Sequence, residues 1–354
     1  MLVSNAVRFL AVVSLCCIPG LSQLTVGLGA GAPNKARAAD GDDSGVVLSA
    51  PSLGYLLDGS SGLLRGMRGL AGSGLVGPEL PSETTLEMAV WSPAGQYVLG
   101  LARESREPIL FRLVEGQLRG SSLVPAQPGV SSVHLSPGGR AVALYYAGGE
   151  RIEIWTGLPD QPVRETELLL PTAGAPVRNV AVSDSGKLAL VVLGEDDRQS
   201  LFNVREGEWR FLTAAERISS IVFLRNRPDA LFADRAANRI YQVQGLDSDP
   251  ALFAVAGAGE GLQDPSSVEA SADGATAFVA SATTRSVWSL DLLTSRLTRL
   301  ECPCVPTGLH RLEGSAVFRL TDSAPDEPVW VLDADDDEPR IVLVPVASRT
   351  EGNQ

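Results

Sequence analysis

The residues best placed to do chemistry sit in one short segment, "ECPCVPTGLHRLEG", Glu301 to Gly314. Cys302 and Cys304 offer two thiols, and an oxidising compartment pairs such thiols. Residues two apart in an extended strand lie near the upper limit for a disulfide, so a Cys-x-Cys bridge needs a turn, which Pro303 and Pro306 could help or hinder. A closed loop this small is reducible, which permits a redox role without requiring one. With His310 as a third soft ligand, the same residues make a candidate copper or zinc site. No fourth ligand is evident nearby, because the only other histidine, His134, is far away in the chain.

A second cluster, "LDADDDEP" from Leu332 to Pro339, packs four aspartates and a glutamate into one loop. Calcium takes several oxygen ligands, so the loop is a calcium candidate, although it lacks the glycine and distal bidentate glutamate of an EF-hand. A solvated charged turn is the plainer reading. The five tryptophans, Trp91, Trp155, Trp209, Trp288 and Trp330, fall mostly inside strand patterns and suit packing between repeats better than a sugar-stacking platform. There is no Cys-x-x-Cys-His for covalent haem and no Gly-x-Ser-x-Gly elbow. No catalytic residues are identified.

The 354 residues carry a formal charge of −13, which leaves no basic face to follow a phosphate backbone. Nucleic acid is therefore not an expected partner. Residues 1–38 hold Arg8, Lys35 and Arg37, no acidic residue, and the apolar run "FLAVVSLCCIPGL". Followed by Ala36-Arg37-Ala38, they read as a secretory signal peptide, too short and interrupted for a membrane span. Its removal leaves a chain of formal charge −16 with Cys302 and Cys304 as its only cysteines. The expected organisation is a signal peptide (1–38), a polar leader (39–45) around "DGDD", a repeat domain (46–346) and a C-terminal tail (347–354). The expected location is secreted or periplasmic, with no stable membrane span after cleavage.

The elements that must position these residues repeat. "VWSPAGQYVLGLA" from Val90 recurs as "VHLSPGGRAVALYY" from Val133 and "VAVSDSGKLALVVL" from Val180, then more weakly from Ile221, Val268 and Leu309. With Ser92, Ser136, Ser183, Arg225, Ser271 and Leu312 as register marks, the steps are roughly 44, 47, 42, 46 and 41 residues, the period of four-stranded propeller blades. Each unit supplies a strand, a small-residue turn, a nearly continuous apolar strand, a third strand such as "RIEIW" or "SVWSL", and a short outer strand. The expected fold is all-β: a β-propeller of four-stranded antiparallel blades, seven favoured and six the alternative. "GYLLDGSSGLLRGMRG", Gly54 to Gly69, is assigned to the third and fourth strands of a partly degenerate first blade, with Val46–Ala50 as a candidate for its inner strand. The ends of such a ring should meet.

On these phrases the chain resembles WD-repeat-like and NHL-repeat-like propellers over roughly residues 46–346. "AVAGAGEGLQDPSSVEASADGATAFVASATTRSVWSLD" is similar to an NHL-type repeat, and "SPGGRAVALYYAGGERIEIW" to the WD-like type, without its Gly-His and Trp-Asp dipeptides. "GYLLDGSSGLLRG" and "CPCVPTGLHRLEGSAVFRL" resemble secreted bacterial propellers that carry no activity to transfer. The resemblance implies the fold and secretion.

Three functions follow as expectations. The first is a non-enzymatic scaffold that binds a protein or an extracellular or envelope polymer through its loops and channel, without a cofactor. The second is a metal-dependent hydrolase of the lactonase type, with scattered carboxylate ligands. The third is a redox or copper-handling protein built on Cys302, Cys304 and His310.

Overall fold

The computed structural model describes residues 51–347 apart from 93–96, 115–116, 124–125, 172–173, 323–326 and 337. The signal peptide, the polar leader, Val46–Ala50 and residues 348–354 lie outside the described residues. Twenty-seven strands form seven antiparallel sheets, and two 3-10 turns, Ala147–Gly149 and Ala258–Glu260, are the helical segments among the described residues. No helix among these residues is long and apolar enough to cross a membrane.

The first sheet holds β1 (Ser52–Asp58), β2 (Leu63–Arg68) and β3 (Leu75–Glu79). The second holds β4 (Leu86–Trp91), β5 (Val98–Ala102), β6 (Pro108–Val114) and β7 (Gln117–Ser122), and the third β8 (Ser132–Leu135), β9 (Ala141–Tyr146), β10 (Arg151–Thr156) and β11 (Val163–Leu169). In the fourth are β12 (Val177–Val182), β13 (Leu188–Glu195), β14 (Arg198–Arg205) and β15 (Glu208–Ala215), and in the fifth β16 (Ile218–Phe223), β17 (Ala230–Asp234), β18 (Arg239–Gln244) and β19 (Ala251–Ala256). The sixth is β20 (Ser267–Ala270), β21 (Thr276–Ser281), β22 (Ser286–Asp291) and β23 (Leu297–Glu301); the seventh is β24 (His310–Arg311), β25 (Val317–Arg319), β26 (Val329–Asp333) and β27 (Arg340–Val344). Spatial order follows chain order in every sheet. The fold is a seven-bladed β-propeller of four-stranded antiparallel blades, the first of which shows three strands among the described residues.

The recurring serine has a physical task. In each of the last six blades the amide at the register mark donates to the carbonyl five residues on, closing the turn between the first and second strands: Ser92 to Tyr97, Ser136 to Ala141, Ser183 to Leu188, Leu224 to Asp229, Ser271 to Thr276 and Leu312 to Val317. The mark in the fifth blade is therefore Leu224, one residue before Arg225. At three of the four serine marks the hydroxyl also accepts an amide of the same turn, Ala141 to Ser136, Leu188 to Ser183 and Thr276 to Ser271, whereas the buried Ser92 hydroxyl accepts none among the described residues. Gly139, Gly186 and Gly274, three residues past those marks, have φ of 65°, 71° and 69°, a conformation other residues adopt at a cost.

Burial peaks in the second strand of the blade, since the first strands, such as β4 and β8, face the channel and are mostly half-buried. The second strands β5 and β17 are buried at every position, because neighbouring blades cover both faces, whereas the fourth strand β15 has no buried residue and β19 only Ala256. Adjacent blades are also pinned through their inner turns, where the Tyr97 hydroxyl donates to the Gly139 carbonyl at 2.7 Å and the Gly138 amide to Asp184.

The ring closes between the seventh and first blades. A shared core of Leu53, Leu56, Met67, Val76, Leu312, Val317, Val329, Val331 and Val344 joins them. At the outer rim Val76 bridges Val346 in parallel, donating to the Pro345 carbonyl and accepting from the Ala347 amide. Ala347, assigned to the tail by sequence, is part of this closure.

One strand assignment needs correction. Gly54–Gly69 forms β1 and β2, and the direction of β1 places these strands second and third in the blade rather than third and fourth. The start of β1 meets the inner turn of the seventh blade, where the Glu313 amide donates to the Leu53 carbonyl, while its far end meets the start of β4, where the Leu86 amide donates to Gly62. β1 therefore runs opposite to the neighbouring first strand, as a second strand does. The true outer strand, β3, is "LVGPE", whose glycine and proline read as loop.

Candidate functional site

The first strands of six blades, with β1 of the first, surround a central cavity of about 730 Å³. Two residues before each mark, the equivalent positions Val90, His134, Ala181, Val222, Glu269 and His310 all line it. One layer of the wall thus mixes apolar side chains with two imidazoles and a carboxylate. Two residues further back stand Met88, Asn179, Ser220 and Ser267. Their polar groups link neighbouring inner strands: Asn179 donates to the Ser219 carbonyl, Ser220 to that of Val268, and Ser267 accepts from the Leu309 amide.

The polar members of the wall differ in how fully they are partnered. His134 shares a 2.9 Å hydrogen bond with the Ser132 hydroxyl, and burial pushes its pKa down to about 4, so it is neutral at pH 7. Arg311 is fully engaged: it pairs with Glu269 at 3.1 Å, donates to the Ala270 carbonyl, and lies over the Phe318 ring at 5.0 Å. In the seventh blade His310 and Arg319 are directly opposed across β24 and β25, and both reach the same Asp322 oxygen at 3.5 Å. His310 first, and Arg319 after it, hold the Asp322 carboxyl down to about 2 against the opposing effect of burial.

The sequence-derived candidates separate in space. Cys302 and Cys304 are joined as a disulfide with their Cα atoms 4.9 Å apart, the chain bending through Pro303 as such a bridge requires. Both are buried with Phe278, Ala280, Val287 and Phe318, away from the cavity lining. His310 faces the cavity instead, so the three residues do not converge on a common centre. In the acidic loop Asp333 accepts from Arg340 at 2.7 Å and Asp335 accepts the Ala316 amide. Among the described residues no group of three or more His, Cys, Asp or Glu side chains gathers in a way that could hold a metal ion.

Trp155 and Trp288 are buried between blades, whereas Trp91 lines the cavity and packs on Tyr55 with ring centroids 4.8 Å apart. Sequence reasoning passed over Arg319, Asp322, Trp91 and Tyr55 as site residues. Arg319 carried a readable signal. It stands seven residues after its mark, where the other blades have Leu99, Ala143, Leu190, Leu231 and Phe278.

No family model matches the chain, and no curated protein matches it. Among solved structures it is similar to a functionally unknown protein from Desulfotomaculum acetoxidans DSM 771, with a TM-score of 0.55 at 10% identity over 83% of this chain and 99% of that one. Weaker likenesses are to a nidogen/laminin complex (TM-score 0.46, 14% identity, 74% of this chain and 96% of that one) and to the β-propeller domain of Cps50 (Swd1) from Myceliophteria thermophila (0.48, 13%, 85% and 99%). At these identities the likeness concerns the fold alone.

Proposed function

We propose that the protein is a secreted or periplasmic, non-enzymatic binding scaffold that holds a protein or an extracellular or envelope polymer at the mouth of its central cavity. The observation that carries this reading is the cavity wall. Equivalent backbone positions present valine, alanine, histidine and glutamate into one space of about 730 Å³. A rigid ring with a varied inner lining is suited to recognition, because the scaffold is ordered before the ligand arrives and little entropy is lost on binding. The basic, apolar, small-residue sequence of residues 1–38 supports placement outside the cytoplasm.

The test is retention of labelled protein on an envelope preparation, with unlabelled competitor. Wild-type competitor should displace the label in a saturable way, and the plugged variants Ala181→Trp and Val222→Trp should not. No saturable retention, or equal competition by the plugged variants, overturns the reading.

A further inference from the structure

Arg319 breaks the rule of its own fold. At the five equivalent second-strand positions Leu99, Ala143, Leu190, Leu231 and Phe278 are at most 1% exposed, each an apolar plug between blades. The seventh blade puts a guanidinium there, with its side chain only 20% exposed and on the cavity wall. A guanidinium offers five donors in a planar fork. Among the described residues its one charged neighbour is the Asp322 oxygen, at 3.5 Å, longer than the roughly 2.7–2.9 Å of a charge-assisted hydrogen bond. His310 shares that oxygen. Burial also pushes the Arg319 pKa below the usual arginine range, the mark of a cation that has lost water without full repayment by partners.

Another residue of the cavity wall, Trp91, holds a buried donor without an acceptor among the described residues. Its Nε1 stands above the backbone of Gly54, where an added Cβ would lie 3.4 Å from it. Beside it Tyr55, Leu57, Met88 and Val90 give the wall an apolar stretch.

We propose that Arg319 anchors a carboxylate-binding subsite on this wall, taking an organic acid whose apolar body lies along Tyr55, Leu57 and Trp91. The proposal rests on the reading of the cavity as a ligand site and specifies the ligand's chemistry. A monoanion fits better than a phosphate dianion, because Glu87, Glu269 and Asp322 line the same cavity and the whole chain is strongly acidic. Asp322 is the internal competitor, holding Arg319 loosely until a ligand carboxylate supplies closer, bidentate contacts.

The acid group has two possible carriers, a free small acid or the C-terminus of a peptide, and calorimetry on the full chain at pH 7 and low salt separates them. The probes are 4-phenylbutyrate and its amide, inorganic phosphate, and one apolar pentapeptide with a free and with an amidated C-terminus. At least one acid should bind tenfold or more tighter than its amide and tighter than phosphate, and whichever acid does so identifies the carrier. Arg319→Met should abolish the discrimination, Arg319→Lys should keep part of it, and Asp322→Asn should tighten acid binding several-fold. Should Arg319→Met fail to fold, the Asp322→Asn arm decides. Equal binding of acid and amide, discrimination that survives Arg319→Met, weaker acid binding by Asp322→Asn, phosphate bound tighter than either acid, or no binding of any probe overturns the subsite. Acid and amide binding alike would leave the scaffold reading standing, whereas clear discrimination without envelope retention would remove that reading alone.

Discussion

Lowering the pH from 7 to 5 should destabilise this propeller through one side chain. His134 lines the cavity beneath the Ser132 hydroxyl, and burial depresses its pKa from 6.5 to about 4. The folded chain therefore refuses a proton that the unfolded chain accepts. For a base whose folded pKa is lowered, stability is whole above the unfolded value and falls as the pH drops towards the folded one. Integrating proton uptake between pH 7 and 5 gives a loss of about 2 kcal/mol, and the loss levels off below pH 4. In a domain of this size that is roughly 3 °C of Tm. The carboxylates with depressed pKa, among them Asp264 beside Arg235 and Asp322 beside His310, lose their contributions only as the pH falls below the ordinary aspartate value of 3.8, outside this window. The assay is thermal unfolding of wild type and His134→Gln at pH 7, 6 and 5. The variant should lose most of the difference in Tm between pH 7 and 5. Parallel curves for the two proteins, or an imidazole NMR titration of His134 centred near 6.5, would refute the reasoning.

Glu153 is 1% exposed and accepts hydrogen bonds from Trp155 Nε1 at 3.1 Å and the Tyr146 hydroxyl at 3.3 Å, with Arg151 and Arg164 within 3.6 Å. Glu153→Ala strands the buried Trp155 donor and removes the ion pairs of Arg151 and Arg164, while the Tyr146 hydroxyl keeps the Gln127 carbonyl at 3.1 Å, so urea unfolding should show a loss of about 2 kcal/mol, and Glu153→Gln a clearly smaller one. At the closure, Ala347→Pro deletes the donor to the buried Val76 carbonyl, which should cost about 1 kcal/mol and speed hydrogen exchange at the Val76 amide, with the inner turns unaffected. Thiol alkylation followed by mass spectrometry, on the folded chain freed of residues 1–38, should add no label before reduction and two after denaturing reduction. Full labelling of the unfolded, unreduced chain would show Cys302 and Cys304 to be free thiols.

The repeat phrase was legible because its cause is local. A turn closed by an amide, a serine hydroxyl and a left-handed glycine within five residues must be written in those residues, and Ser136, Ser183 and Ser271 were found with Gly139, Gly186 and Gly274 behind them. The same logic explains the misplacement of Gly54–Gly69. Every hairpin in a blade alternates in the same way, so period-two patterning shows that β1 and β2 pair but not which place they take; contacts of Leu53 with Glu313 and of Gly62 with Leu86 decide that. In the fifth blade the absence of serine moved the mark by one residue.

By itself the sequence determined the blade period, the all-β class and the turn chemistry, since each depends on neighbours within about 45 residues, and it left the count between seven and six blades, which the seven sheets of the folded chain decide. The tertiary structure alone decided which side chains meet. It separates Cys302 and Cys304 from His310 by burying the cysteines in the core between the sixth and seventh blades and setting His310 on the cavity wall, and it turns Arg319 from one arginine among many into a sparsely partnered cation on that wall. Closing a ring brings together positions far apart in the chain, and the energy of a buried charge depends on those distant partners rather than on the residues beside it in sequence.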